Sequence, residues 1–398
     1  MADPDRPPTT TKGESAPADD AAGKGAPEAP VVAERGAPAP PTGAFGLLVH
    51  HQAIVVPIIA VVLAFAIGAI LIRAQGFNPT YAYEVLFKHS FATESGLLAT
   101  LQKTTPLILV GLAVAIPLKV GLFNIGGQGQ LMAGGIGAAW VSYALRDTSP
   151  ILLVIVAVIV AVLFGAMWAS IAALLKTTRG VHEVISTIML NSIAVGLIDW
   201  FINGGPLSDK GQPFPTSHAV PEDARLTPLG ILPWGLPVAL ILAVLVAWML
   251  NRTTLGFELQ TVGRNKFAAG YAGIGTTKAT LVAMALSGGL AGLAGVFELL
   301  QIEPYRYQNG IAGSLGFDGI TIALLARGNP LGTIPAAVLV GAMRAGAPTL
   351  QFQLGIRPEV VDVLLAITLL MVSLPLLAKW IFRRHAAKQT QLAGSWGA

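Results

Sequence analysis

Residues 150–175 read PILLVIVAVIVAVLFGAMWASIAALL, 26 positions without one ionisable side chain. About 20 apolar residues in a helix already cross the ~30 Å hydrocarbon core of a bilayer, so this run is a membrane span. Composition extends the reading to the rest of the chain. Of 398 residues, 54% are hydrophobic and only 12% charged, and the mean hydropathy is +0.67. A soluble domain carries about 25% charged residues, so this chain could not cover a soluble surface. Its 45 glycines suit close helix packing in lipid. The expected fold is an all-α polytopic membrane protein. With no cysteine, disulfides, thiol chemistry and cysteine-ligated zinc or iron–sulfur sites are excluded. The formal charge of +4 is spread along loops and is no sign of a nucleic-acid partner.

Working outward from that span, further apolar runs fall at 52–72, 97–118, 121–145, 184–203, 230–250, 279–300, 315–328, 331–348 and 358–380, giving about ten crossings. The eighth, 315–328, is short, and a re-entrant or broken helix ending at Asn329-Pro330 is the alternative. With ten crossings the loops assigned to the cytoplasm and the C-terminal flank carry twelve Lys and Arg, and the outer loops seven. That asymmetry follows the positive-inside rule and places both termini in the cytoplasm. The outer loops 73–96 and 204–229 hold several Pro and Gly and are expected to be irregular. Residues 1–43 have no apolar run and carry four basic against seven acidic side chains, so a disordered cytoplasmic tail is expected. A transmembrane domain then covers 44–385, with a cytoplasmic loop at 251–278 and a short C-terminal tail at 386–398.

Several motifs fail on inspection. His182-Glu183 lacks the second His that a zincin helix needs one turn on, because Ser186 stands there. Residues 312–316 miss the nucleophile elbow by one residue, since Ala312 stands where its first Gly belongs. No P-loop occurs, so no ATP cradle exists in this chain. Gly288, Gly292 and Gly295 lie inside one apolar span and signify helix packing rather than a nucleotide fingerprint.

Two segments carry more. The third span opens GLFNIGGQGQ, 121–130, where Asn124 and Gln128 are four apart and would share a helix face with Gly121. Neutral amides here, with Gln130 and with Asn191 of the fifth span, can line a polar path without the cost of a buried charge. Interhelical hydrogen bonding that only holds the bundle together is the equal alternative. The inner loop contains Gly263-Arg264-Asn265-Lys266-Phe267-Ala268-Ala269-Gly270-Tyr271-Ala272-Gly273. Asn265 can cap a short helix and Gly273 can end it, leaving Phe267, Ala268 and Tyr271 on one apolar face for lipid or for a cytosolic partner. A last expectation concerns charges: Arg344 near the end of the ninth span and Asp362 near the start of the tenth would meet across a hairpin.

Taken together, 121–130, the EVISTIMLN run at 183–191, loop 263–274, Gly316-Phe317-Asp318, Asn329-Pro330-Leu331-Gly332 and the 360–364 run resemble the permease subunit of bacterial ABC importers. The match covers about residues 80–375 and lies in the branched-chain amino acid, ribose and purine-nucleoside group, most like a nucleoside or simple-sugar permease. The resemblance implies a non-catalytic subunit of the bacterial plasma membrane that needs no cofactor of its own. Its implied partners are an ATPase subunit that holds ATP and magnesium, a second permease and an extracytoplasmic substrate-binding lipoprotein. It also makes the inner loop the coupling helix that rests on the ATPase. The family's acidic start of a Glu-Ala-Ala motif is replaced here by Lys266-Phe267 before Ala268-Ala269, and Gln128 stands where relatives often carry Glu. A secondary transporter of a small polar solute is the rival reading, and an intramembrane enzyme a more distant one.

Overall fold

The computed structural model describes residues 52–308 and 310–372, so both expected tails and the end of the tenth span lie outside the described residues. Each apolar run contains a helix, though not always over its full length. The helices are α1 Gln52–Ala74, α2 Pro79–Ala92, α3 Glu94–Lys119, α4 Gly127–Ala144, α5 Pro150–Arg179 and α6 Glu183–Ile202. After an irregular loop come α7 Gly235–Arg252, α8 Thr254–Arg264, α9 Lys266–Tyr271, α10 Thr276–Gln301, α11 Leu315–Leu325 and α12 Thr333–Leu354. A final helix, α13, runs over 359–372. Six of these, α1, α3, α5, α6, α7 and α10, contain stretches long and apolar enough to cross a bilayer. The described residues pair as β-structure only in isolated bridges.

Side-chain size, rather than polarity, decides which face of a helix turns inward. On α5 the large residues Ile151, Ile155, Ile159, Leu163 and Met167 form an exposed stripe, while Ala157, Ala161, Gly165, Ala169 and Ala172 are buried. Lipid solvates the large apolar face as well as a core would, so association rests on close backbone approach. The glycine seam on α10 shows how close. A Cβ on Gly288 would stand 2.2 Å from the Gly165 carbonyl oxygen, one on Gly292 2.1 Å from that of Ala161, and one on Gly295 2.2 Å from that of Leu131. Helix α10 is thereby pressed between α4 and α5. Helix α3 is the axis on the other side of α10: every residue from Thr104 to Pro117 is buried.

Three expectations need correction. Loop 73–96 is mostly helical, because Asn78 caps α2 with Pro79 in its first turn and Thr93 then caps α3. Ser90 of α2 also donates to the Ala342 carbonyl of α12 at 2.7 Å, tying this helix to the bundle. The third span begins as helix only at Gly127, so Asn124 and Gln128 do not share a helix face with Gly121. Gly121 adopts φ +77°, and the Asn124 side chain accepts from Gly126 N at 2.8 Å, a local bond that competes with helix. The eighth span contains only 11 helical residues, about 16 Å at 1.5 Å per residue, which is half a crossing.

Candidate functional site: a broken crossing and a surface helix

Backbone that is not helical at membrane depth needs partners from the protein itself. The four amides singled out by the sequence supply them. Asn124 donates to Gln130 Oε1 at 3.0 Å and to Ser287 Oγ at 2.8 Å, and accepts from Gln130 Nε2 at 3.1 Å. Asn191 of α6 accepts from Gly129 N at 2.8 Å and donates to the Ile125 carbonyl at 3.0 Å. Gln128 accepts from Gly316 N at 2.8 Å and donates to the Gly313 carbonyl at 2.9 Å. All four are buried. The structure thus joins Asn124 to Gln130 and Ser287, ties Asn191 to the backbone at Ile125 and Gly129, and turns Gln128 separately toward Gly313 and Gly316.

Gln128 also marks the depth of the break. A Cβ on Gly127 would lie 3.4 Å from both Val110 Cγ1 and the Gly316 carbonyl oxygen. The start of α11 therefore sits level with Val110, about 13 Å along α3 from Lys119. Beyond its other end, Gly328 approaches the Lys119 ammonium. Helix α11 is therefore about half as long as a full crossing, and the described residues before it, 302–308 and 310–314, form no regular helix.

Charged groups hold this half-helix. Arg344 of α12 donates from Nε to Asp318 Oδ2 and from Nη2 to Asp318 Oδ1, both at 2.8 Å, a bidentate fork. It also bonds Asp362 of α13 and Ser314 at the mouth of α11. The expected Arg344–Asp362 contact is present, but deeper than expected, because α12 continues to Leu354 and leaves Arg344 near mid-helix. Sequence reasoning missed Asp318 as the main partner. It also missed the ion pair of Lys103 with Glu298, 2.9 Å, between α3 and α10. The signal was available: each is an ionisable residue inside an apolar run, which marks a functional candidate. The His182-Glu183 pair is a helix start, with His182 Nδ1 accepting from Val184 N and Glu183 bonded to Lys176 at 2.5 Å. No cluster of metal-ligating side chains occurs among the described residues.

The second group lies at the Lys119 end. Asn265 Oδ1 accepts from Phe267 N at 3.0 Å and from Ala268 N at 3.1 Å, capping α9. Gly273, at φ +76°, closes it. Ala269 is buried while Ala268 is exposed, and Phe267 is 71% and Tyr271 96% exposed. With Lys266, Gly270, Ile274 and Thr276 the two rings border a shallow groove of about 560 Å³. The two groups of residues do not touch, yet one glycine links them. A Cβ on Gly263 would stand 2.0 Å from the Lys119 carbonyl oxygen, so α8 ends directly on the bend that leads to Asn124.

A helical bundle with six stretches long and apolar enough to cross a bilayer and an exposed capped helix on a loop has the build of a multi-pass membrane permease. Residues 96–373 match the family of the branched-chain amino acid transport system permease component. The chain is 37% identical over 324 residues to the guanosine ABC transporter permease protein NupP of Bacillus subtilis, covering 80% of this chain and 93% of that one. Against the nucleoside ABC transporter permease protein NupB of Lactococcus lactis it is 36% identical over 328 residues, 79% and 88% of the two chains. The glucose ABC transporter permease protein TsgB13 of Haloferax volcanii is 31% identical over 342 residues, 83% and 88%. The chain belongs to this permease family. It is the non-catalytic membrane subunit of an ABC importer, with ATP hydrolysis on a separate chain.

Proposed function

We propose that the chain imports a nucleoside, or a related simple sugar, across the bacterial plasma membrane. The substrate class rests on relatives described as guanosine, nucleoside and glucose permeases. Ten membrane segments, with the short eighth counted as one, leave both termini in the cytoplasm. Residues 44–385 form the permease domain, and the segments 1–43 and 386–398 are tails. The partners are a second permease, an ATPase that binds ATP and magnesium, and an extracytoplasmic lipoprotein that delivers the solute.

One observation supports the mechanism most: Gly263 seats the α8–α9 segment against Lys119 with no side chain between. In this reading Gly263, Asn265, Phe267, Ala268, Ala269, Tyr271 and Gly273 form the coupling element, with Phe267 and Tyr271 as its contact rings. A push on α9 reaches the 120–126 bend, which Asn124, braced by Gln130, and Asn191 hold, and next to it Gln128 holds the 313–316 backbone; together these border the translocation path. Because those amides are already bonded, they shape the path through the backbone rather than by free side chains. The test is uptake of labelled guanosine, ribose, glucose and leucine in a deletion strain with and without the gene. Restored uptake of guanosine or of a sugar supports the reading, and restoration of leucine uptake alone would refute it.

A further inference from the structure

Three buried side-chain atoms near the Lys103–Glu298 pair have no hydrogen-bond partner: Glu298 Oε2, Gln301 Nε2 and Tyr307 OH. Their orientations are fixed by bonds at their other ends. Glu298 Oε1 takes the Lys103 ammonium, and Gln301 Oε1 accepts from Gly235 N at 2.9 Å, which leaves the Gln301 NH₂ as the free end. Tyr307 is clamped by Ser217, whose Oγ accepts from Tyr307 N and whose N donates to the Tyr307 carbonyl, each at 2.8 Å.

The three lie on adjoining elements. Glu298 and Gln301 are three apart on α10 and so share a face. Gly135 of α4 receives Gly295, one turn before Glu298, and also the Tyr307 ring: a Cβ there would lie 2.4 Å from Tyr307 Cε2. Tyr307 also feels the charge of Glu298. The set offers one acceptor, one donor and one group that is both, which is the complement of a hydroxyl. Each buried orphan left alone costs about 1–3 kcal/mol, so an occupant is favoured. Lys103 is the partly open member of the group, with its side chain 32% exposed, and beside it Gln102 donates to the Gln301 carbonyl at 3.1 Å.

We propose that Glu298, Gln301 and Tyr307, beside Lys103, form a hydroxyl-binding site in the crossing. Water fills it in the idle transporter, and a hydroxyl of the solute's diol takes the water's place in transit. The site lies apart from the amides around 122–130, and its solute role rests on the importer reading above.

The experiment uses the whole transporter with its partner subunits in proteoliposomes. Uptake is compared for guanosine and 2′,3′-dideoxyguanosine, for ribose and 2-deoxyribose, and for glucose and 2-deoxyglucose. The pair that wild type accepts is then measured in Tyr307→Phe and Gln301→Met, alongside a high-resolution map of the solute-free complex. The expected map shows a solvent peak within hydrogen-bond distance of all three atoms. Wild type is expected to favour the hydroxylated member, and each variant to lose about three- to tenfold of that preference. Uptake of the deoxy member should stay at the wild-type rate, which also shows that the variants fold. A peak with unchanged preference makes the site structural water alone and overturns the proposal, as does the absence of a peak with unchanged preference. In both cases the importer reading stands. Wild-type failure to take up any of the six solutes defeats the nucleoside-or-sugar reading, and the solute site with it.

Discussion

Arg344 is shared between two carboxylates whose surroundings differ, and that difference sets unequal consequences for losing each. Asp318 is 7% exposed at its side chain and takes both prongs of the guanidinium fork, whereas Asp362 is 52% exposed. Breaking a buried, hydrogen-bonded pair by removing one partner costs about 3–5 kcal/mol. An exposed pair contributes about 0–1 kcal/mol. Asp318→Asn is therefore expected to destabilise by about 3 kcal/mol, roughly a hundredfold in the folded-to-unfolded ratio, and Asp362→Asn by less than about 1 kcal/mol. A double-mutant cycle with Arg344→Met should give a coupling of at least about 2 kcal/mol with Asp318 and under about 1 kcal/mol with Asp362. The assay is equilibrium unfolding in mixed micelles of mild detergent and dodecyl sulfate. Exchanging Arg344 with Asp362 should not rescue folding, because the new carboxylate at 344 would face Asp318. Equal losses for the two asparagine variants, or recovery in the exchange, would refute this reasoning.

Gly288→Ala should abolish folded yield, because its Cβ would meet the Gly165 carbonyl oxygen at 2.2 Å, while Gly196→Ala, which meets nothing within 4 Å, should be silent by size-exclusion fluorescence. Asn191→Leu removes the partners of Gly129 N and the Ile125 carbonyl, a loss of about 2–4 kcal/mol that should appear as lowered folded yield and lowered uptake. Replacing Phe267 and Tyr271 together with Asp should abolish uptake and substrate-stimulated ATP hydrolysis while membrane insertion, measured by cell fractionation, is unchanged. In the loops joining 203–234 to 302–308, a hydrogen bond from Arg306 holds the Asp209 carboxyl below the ordinary carboxylate range. A depressed folded value means the contribution is complete above the unfolded pKa of about 4 and is lost as pH falls through the folded one. Limited proteolysis of that loop in detergent should therefore quicken below about pH 4, and Asp209→Asn should flatten the acid limb.

The sequence made the membrane class plain because a charge-free run of 26 residues has one physical solution. It also revealed α9, since Asn265 and Gly273 announce a helix start and stop by local chemistry alone. It hid α2, whose sequence PTYAYEVLFKHSFA mixes polar and apolar residues and gains its place by packing on α12. The 121–130 stretch misled for a related reason. Spacing arithmetic assumes a helix, and Asn124 is an amide that can bond its own backbone and prevent one. Half of the candidate site was legible as residue types, and its arrangement was not. Gln128 meets Gly316 across 188 positions of chain, and Lys103 meets Glu298 across 195. No single sequence orders such distant partners by depth.

The seam between α4, α5 and α10 limits how the molecule can change shape. Where Gly165 faces Gly288 and Gly134 faces Gly292, backbone lies on backbone, and no rotamer stands between to absorb a slide. These three helices are expected to travel as one slab, leaving relative motion to stretches that lack regular helix, such as 120–126, 302–308 and 310–314. Spin labels offer a ruler for this: distances between two labels on the slab should stay constant through the nucleotide cycle. Distances from the slab to α12, on the far side of α11, should lengthen and shorten with every turnover.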